Sequence, residues 1–378
     1  MSEKRIYFNN FDALRFVAAI VIVFAHAVEG WIGWFEPDHI IDSFTDPVTH
    51  QESTFGHLAM TLIKNLGIGV DLFFVLSGFL ITYLLVQEKQ RFGKISIPNF
   101  FLRRTFRIWP VFYLLIALGP FIVQWTQQTY DPDYLRNALF LGNYDTIWRG
   151  QFLMPFAHFW SICVEEHFYI FWPFVVAFVP WRRLPAVMIA IILLSIGFRA
   201  YTFYALDNNW AHMYLNTLSR IDVLIFGAIL GYYYARKPFT FTLPIWLRWT
   251  LFLALVSLLS ITPIYEIGNV FEAMFKKYMF VGIIILLLLD FQFGTNRKLR
   301  PFANPVFSYL GKCSYGIYMY SNILIAIIVV QIMWRYQVNN MWLFLFFNFA
   351  LTIGISIISF EFFEKRIVKW SHRFRVLK

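Results

Sequence analysis

The chain has 378 residues, 59% hydrophobic and 21% aromatic with only 14% charged, and its mean hydropathy is +0.59. A soluble domain carries about a quarter charged residues, so this composition excludes an ordinary water-soluble globule. A net charge of +10 would point a soluble chain towards nucleic acid, but these basic residues fall between apolar stretches and read as loop charge, with no nucleic-acid partner.

Apolar runs of about 20 residues, each able to cross roughly 30 Å of hydrocarbon, recur along the whole length. They predict an all-α integral membrane protein, a bundle of about ten transmembrane helices near residues 12–34, 60–86, 105–125, 158–180, 185–205, 217–235, 248–265, 276–292, 313–335 and 341–363. Lys4 and Arg5 precede the first run, and Ala25-His26-Ala27 imitates a signal-peptidase site. Asp12 and Arg15 interrupt the approach and the apolar stretch continues to Phe35, so the run reads as an uncleaved span.

With the N-terminus inside, the cytoplasmic segments 1–15, 87–107, 181–184, 236–248, 293–312 and 364–378 hold 24 of the 32 Lys and Arg. The positive-inside rule then puts both termini in the cytoplasm. The outer segment Glu36 to His57 carries Glu36, Asp38, Asp42, Asp46 and Glu52 and no Lys or Arg. A second outer segment, Gln127 to Phe156, holds Tyr130, Asp131, Asp133, Tyr144, Asp145 and Trp148, which suit a sugar ring or simple anchoring at the headgroups. No loop is long enough for a soluble domain, so residues 1–378 read as a single membrane domain. Cys163 and Cys313 are far apart and lack partners at metal-ligand spacing, so neither a disulfide framework nor a metal site is read.

Ionisable residues inside spans are costly and therefore candidates for function. Arg15 and His26 lie within roughly 20° on one helix face and about 16 Å apart in depth. Arg15 also reads as a snorkelling anchor, and His26 also as an interhelical hydrogen-bonding residue. A neutral imidazole can take a proton from a hydroxyl near pH 7. The fourth span, entered from outside, puts Glu165 about 10 Å below the outer edge, near the depth of His26. Glu165 could orient that imidazole, or could be satisfied by Arg199 or Arg220. Asp71 lies in the stretch Gly67 to Phe79, whose glycines permit close helix approach. Arg104 and Arg107 share a face at the inner edge of the third span, suited to phosphates such as those of CoA but also an ordinary topology signal.

Together these segments resemble the bacterial membrane acyltransferase family 3, which includes O-acetylases of lipopolysaccharide, peptidoglycan and exopolysaccharide. The likeness runs through Phe11–His26, Gly69–Phe79, Arg104-x-x-Arg107, Trp160–Tyr169, Arg220 with Gly227, Ser314–Tyr318 including Tyr315, and Phe363-Glu364-Lys365. It implies a ten-helix bundle in the bacterial cytoplasmic (inner) membrane, with acyl-CoA, in particular acetyl-CoA, as co-substrate from the cytoplasm and an acceptor hydroxyl from outside. By that likeness Arg104 and Arg107 hold CoA phosphates, Arg15 lines the thioester path, His26 is the central catalytic residue, and Glu165 and Asp71 match acidic positions. Ser321 stands where members often carry histidine. Some members also carry a fused extracytoplasmic esterase-like domain for which this chain has no room, so either the membrane domain acylates its glycan directly or a separate extracytoplasmic partner finishes the transfer.

The expected chemistry is general-base catalysis by His26, assisted by Glu165, on a glycan hydroxyl attacking the thioester. A membrane transporter or flippase of a small molecule or lipid-linked sugar is the rival reading. Against it stands the lack of an inverted internal repeat.

Overall fold

The structure is a computed structural model and describes residues 8–35, 54–126, 132–295, 304–324, 329–371 and 373. Lys4, Arg5, the acidic residues Glu36, Asp38, Asp42, Asp46 and Glu52, and Tyr130 and Asp131 lie outside the described residues. The described residues form helices joined by turns, with no strand among them.

In chain order the helices are α1 (Asn9–Phe35), α2 (Thr54–Asn65), α3 (Gly69–Phe92), α4 (Ile97–Thr126), α5 (Tyr134–Ala138), α6 (Gly142–Arg149), α7 (Phe159–Phe178) and α8 (Leu184–Ala205). There follow α9 (Trp210–Leu215), α10 (Thr217–Arg236), α11 (Ile245–Ile261), α12 (Val270–Phe293), α13 (Pro305–Lys312), α14 (Ser314–Leu324), α15 (Val330–Arg335), α16 (Met341–Ser359) and α17 (Lys365–Ser371). Asparagines start many of them. The side chains of Asn209, Asn216, Asn269, Asn304 and Asn340 each accept a first-turn backbone N–H, a donor the helix cannot satisfy itself.

Seven helical stretches are long and apolar enough to cross a membrane: Asn10–Ile32, Thr54–Phe92, Ile97–Trp125, Phe159–Phe178, Leu184–Ala205, Trp210–Arg236 and Met341–Trp370. The difference from the ten expected spans has local causes. The run at 248–265 becomes α11, a helix of 17 residues. The run at 276–292 falls within α12, which also carries Glu272, Lys276 and Lys277. The run at 313–335 contains α14 and α15, with 325–328 outside the described residues. The third span starts earlier than expected, so Arg103, Arg104 and Arg107 sit on α4 itself instead of at its mouth.

Helices α3 and α10 cross at backbone contact. A Cβ on Gly78 would overlap the Leu224 carbonyl oxygen, and one on Gly227 would overlap that of Val75. Such approach is how helices gain contact in lipid, where apolar side chains have no solvent to escape. Beside the crossing the high aromatic content becomes a stacked core. The Phe79 ring meets Phe11 edge-on at 5.0 Å and Phe8 at 5.4 Å, and Tyr234 lies 4.4 Å from Phe293.

Buried polar groups supply further ties. Asn65 donates to the carbonyls of Leu259 (2.7 Å) and Thr262 (2.8 Å) and accepts from Ile264 N (3.0 Å), fastening the end of α2 to the end of α11. Each of its amide groups is thereby satisfied.

Gly227→Val is expected to cost at least ~1–3 kcal/mol through overpacking and to lower the thermal unfolding midpoint in detergent. Gly282→Ala, where an added Cβ meets nothing within 4 Å, serves as the control and is expected to leave the midpoint in place.

Candidate functional site

Two cavities lie along α1. Arg15 lines a pocket of about 80 Å³, and His26 lines a cavity of about 610 Å³. At a rise of about 1.5 Å per residue these levels are about 16 Å apart.

The smaller pocket draws on five helices: Arg15 from α1, Phe74 and Ser77 from α3, Arg104 and Arg107 from α4, Glu165 and Tyr169 from α7, and Tyr315 and Tyr318 from α14. The Glu165 carboxylate is its polar centre. Oε1 accepts from Ser77 Oγ at 2.9 Å and Oε2 accepts from the Tyr169 hydroxyl at 2.9 Å. The Arg104 guanidinium lies 5.4 Å from the Tyr169 ring centre, within cation–π range. Arg15 contacts Asp12 at 3.4 Å, and Arg107 is exposed on the turn after Arg104. Tyr315 donates to the Ile108 carbonyl at 2.7 Å, tying α14 to α4. Three guanidinium groups thus line one small pocket, and guanidinium is the side chain whose planar fork matches phosphate and carboxylate oxygens.

The larger cavity holds two histidines, His26 and His158. The Nδ1 of His26 is buried and has no hydrogen-bond partner among the described residues. His158, just before α7, has Nε2 at 3.0 Å from the Met319 carbonyl. A carbonyl can only accept, so that nitrogen carries the proton and Nδ1, also buried without a partner, keeps a free lone pair. Arg220 lines the same cavity, 2.9 Å from Asp71 and between the rings of Phe74, Trp160 and Tyr214 at 5.8, 5.6 and 5.3 Å.

Hydrogen bonds link the linings of the two spaces. Ser161 and Tyr318 line the smaller pocket while His158 lines the larger. The Tyr318 hydroxyl donates to the His158 carbonyl at 2.8 Å and accepts from Ser161 Oγ at 2.6 Å.

The expected pairing of His26 with Glu165 is not made. Glu165 is engaged by Ser77 and Tyr169 in the smaller pocket, and the α7 segment shares the His26 cavity through His158 and Trp160 instead. Seven residues of helix, about 10 Å, separate His158 from Glu165. Nor does either arginine considered as a partner bind Glu165: Arg199 is paired with Asp222 and Arg220 with Asp71. Asp71 is thus set behind Arg220, and lines neither cavity. Ser321 also lines neither, since its hydroxyl donates to the Tyr318 carbonyl of its own helix at 3.0 Å. The sequence offers Arg199 only as a possible partner of Glu165 and Tyr318 only as the end of a motif, and does not mark His158, Asp222 or Lys277 as site residues. His158 opens the same polar-aromatic motif as Glu165, a usable signal; Lys277 had none beyond being a charge inside an apolar run.

Comparison with known proteins gives these groups a context. The family model described as an acyltransferase domain matches residues 8–361. A Staphylococcus aureus (strain COL) protein provisionally named an O-acetyltransferase is 24% identical over 96% of this chain and 57% of its own length. The peptidoglycan O-acetyltransferase OatA of Listeria monocytogenes is 25% identical over 83% of this chain and 53% of its own length. The O-acetyltransferase OatA of S. aureus (strain NCTC 8325) is 30% identical over 47% of this chain and 31% of its own length. The chain therefore spans little more than half the length of the first of these relatives. No solved structure matches it. With its arginine-lined pocket, its histidine-lined cavity and a family match over most of its length, the chain belongs to the membrane acyltransferase family 3.

Proposed function

We propose that the chain moves an acetyl group from cytoplasmic acetyl-CoA to a hydroxyl of an extracytoplasmic glycan. The observation that carries this reading is the pair of cavities along α1, one lined by Arg15, Arg104 and Arg107 and the other by His26 and His158. Family membership and the O-acetyltransferase names of the relatives support the reaction class. The loop charges support cytoplasmic termini and the arginine pocket on the cytoplasmic side, and the apolar runs and the family resemblance support about ten crossings of a bacterial inner membrane.

In this reading Arg104 and Arg107 hold the CoA phosphates by paired N–H donors, and Arg15 neutralises charge further along the path. The thioester arm passes the Ser161–Tyr318 contact to reach the larger cavity. There the Nδ1 lone pair of His26 takes the proton of the acceptor hydroxyl as its oxygen attacks the thioester carbonyl. The new C–O bond forms, the C–S bond breaks, and the proton leaves with the thiolate as free CoA. Glu165 works at the donor end, where it balances part of the arginine charge and holds Ser77 and Tyr169.

The decisive experiment is mass spectrometry of surface glycans from cells with and without the gene. Loss of acetyl from one sugar unit is expected; unchanged glycans would remove the reading and favour a transport role. In reconstituted protein, His26→Gln is expected to lower transfer by about 10²–10⁴-fold with coenzyme A binding unchanged by calorimetry. Normal transfer would exclude the histidine as base. Arg104→Ala is expected to weaken coenzyme A binding by about tenfold or more, with transfer recovering at high acetyl-CoA. An effect on the maximal rate alone would place Arg104 outside the donor site.

A further inference from the structure

The wall of the larger cavity carries more positive charge than its own carboxylates balance. Asp222, fully buried, is shared by two cations. Arg199 Nη1 donates to it at 2.6 Å and Lys277 Nζ at 2.8 Å. Both also donate to the Ser219 carbonyl, at 2.9 and 2.5 Å, and Arg199 and Lys277 both line the cavity. Beside them Arg220 has Asp71 as its counter-charge, while its Nε has no hydrogen-bond partner among the described residues. Arg199 and Arg220 are 2% and 3% exposed, so water does little to screen either. Of the remaining cations on this wall, Lys276 contacts Glu272 at 3.3 Å, and Lys64 shares the cavity with Glu29. Two buried guanidinium groups and the half-buried ammonium of Lys277 thus face two carboxylates, an arrangement costly in a low-dielectric interior unless an anion completes it.

We propose that the acceptor is an anionic sugar, one bearing a phosphate or carboxylate substituent that docks against Lys277, Arg199 and Arg220 and so presents its hydroxyl to His26. The inference rests on the acyl-transfer reading for the role of that hydroxyl, but not for the anion site itself. A volume of about 610 Å³ lies within the usual range of ligand pockets. Trp160 and Tyr214, already stacked about Arg220, supply aromatic faces for a sugar ring. The partly unpartnered guanidinium of Arg220 supplies a donor for the anion.

The test uses the full chain in lipid nanodiscs, without acetyl-CoA, titrated calorimetrically with methyl glucoside, methyl glucuronoside and glucose 1-phosphate. At least one anionic sugar is expected to bind about tenfold or more tightly than the neutral one. Which of the two wins separates a carboxylate from a phosphate acceptor. Lys277→Gln is expected to abolish the preference and Lys277→Arg to keep it, with coenzyme A binding in both variants reporting an intact fold. Equal binding of all three sugars, no binding of either anionic sugar, or a preference that survives in Lys277→Gln would overturn the proposal. Anion preference in a wild-type chain that does not bind coenzyme A would instead remove the acyl-transfer reading and leave the anion site standing.

Discussion

At the crossing of α3 and α10, Gly78 and Gly227 lay backbone against backbone, and the positions of the buried charges follow from that contact. Helix α3 brings Asp71, Phe74 and Ser77; α10 brings Arg220 and Asp222. Because the axes are close, Asp71 reaches Arg220, and Asp222 turns away to meet Arg199 on α8 and Lys277 on α12. In an apolar medium each of these charges would be prohibitive alone. Paired, they tie four helices together around a polar interior.

That interior is divided by chemistry as well as by space. On one side the smaller pocket concentrates guanidinium groups around a single carboxylate, Glu165, whose two oxygens are occupied by hydroxyl donors. On the other side, the larger cavity presents imidazole nitrogens that have no hydrogen-bond partner among the described residues and a wall of partly compensated cations. Helix α1 contributes to both, so one rigid rod fixes the separation of Arg15 from His26. The Ser161–Tyr318–His158 chain links the linings of the two spaces by hydrogen bonds.

Much of this was legible in the amino-acid sequence. Hydropathy alone established a helical membrane protein, because a span needs about 20 apolar residues and the runs recur throughout. The eleven-residue spacing of Arg15 and His26 follows from helix geometry, and the motifs sufficed to name the family. The grouping of Arg15, Arg104, Arg107 and Glu165 in one pocket, and of His26 with Arg220 in another, was not legible. Each pairing joins helices far apart in the chain, and depth along a helix says nothing about the direction in which its neighbour faces. For that reason His26 and Glu165, matched in depth on paper, line different cavities.

Sequence by itself thus determined the class of solvent, the helical periodicity and the residue types available for chemistry, all of which depend on composition and on neighbours within a few turns. Tertiary structure decided which charges meet. Asp222 is shared by Arg199 and Lys277, Asp71 backs Arg220, and His158 joins His26, because close helix crossings set azimuth and tilt, and a buried charge takes the counter-charge that packing brings within reach.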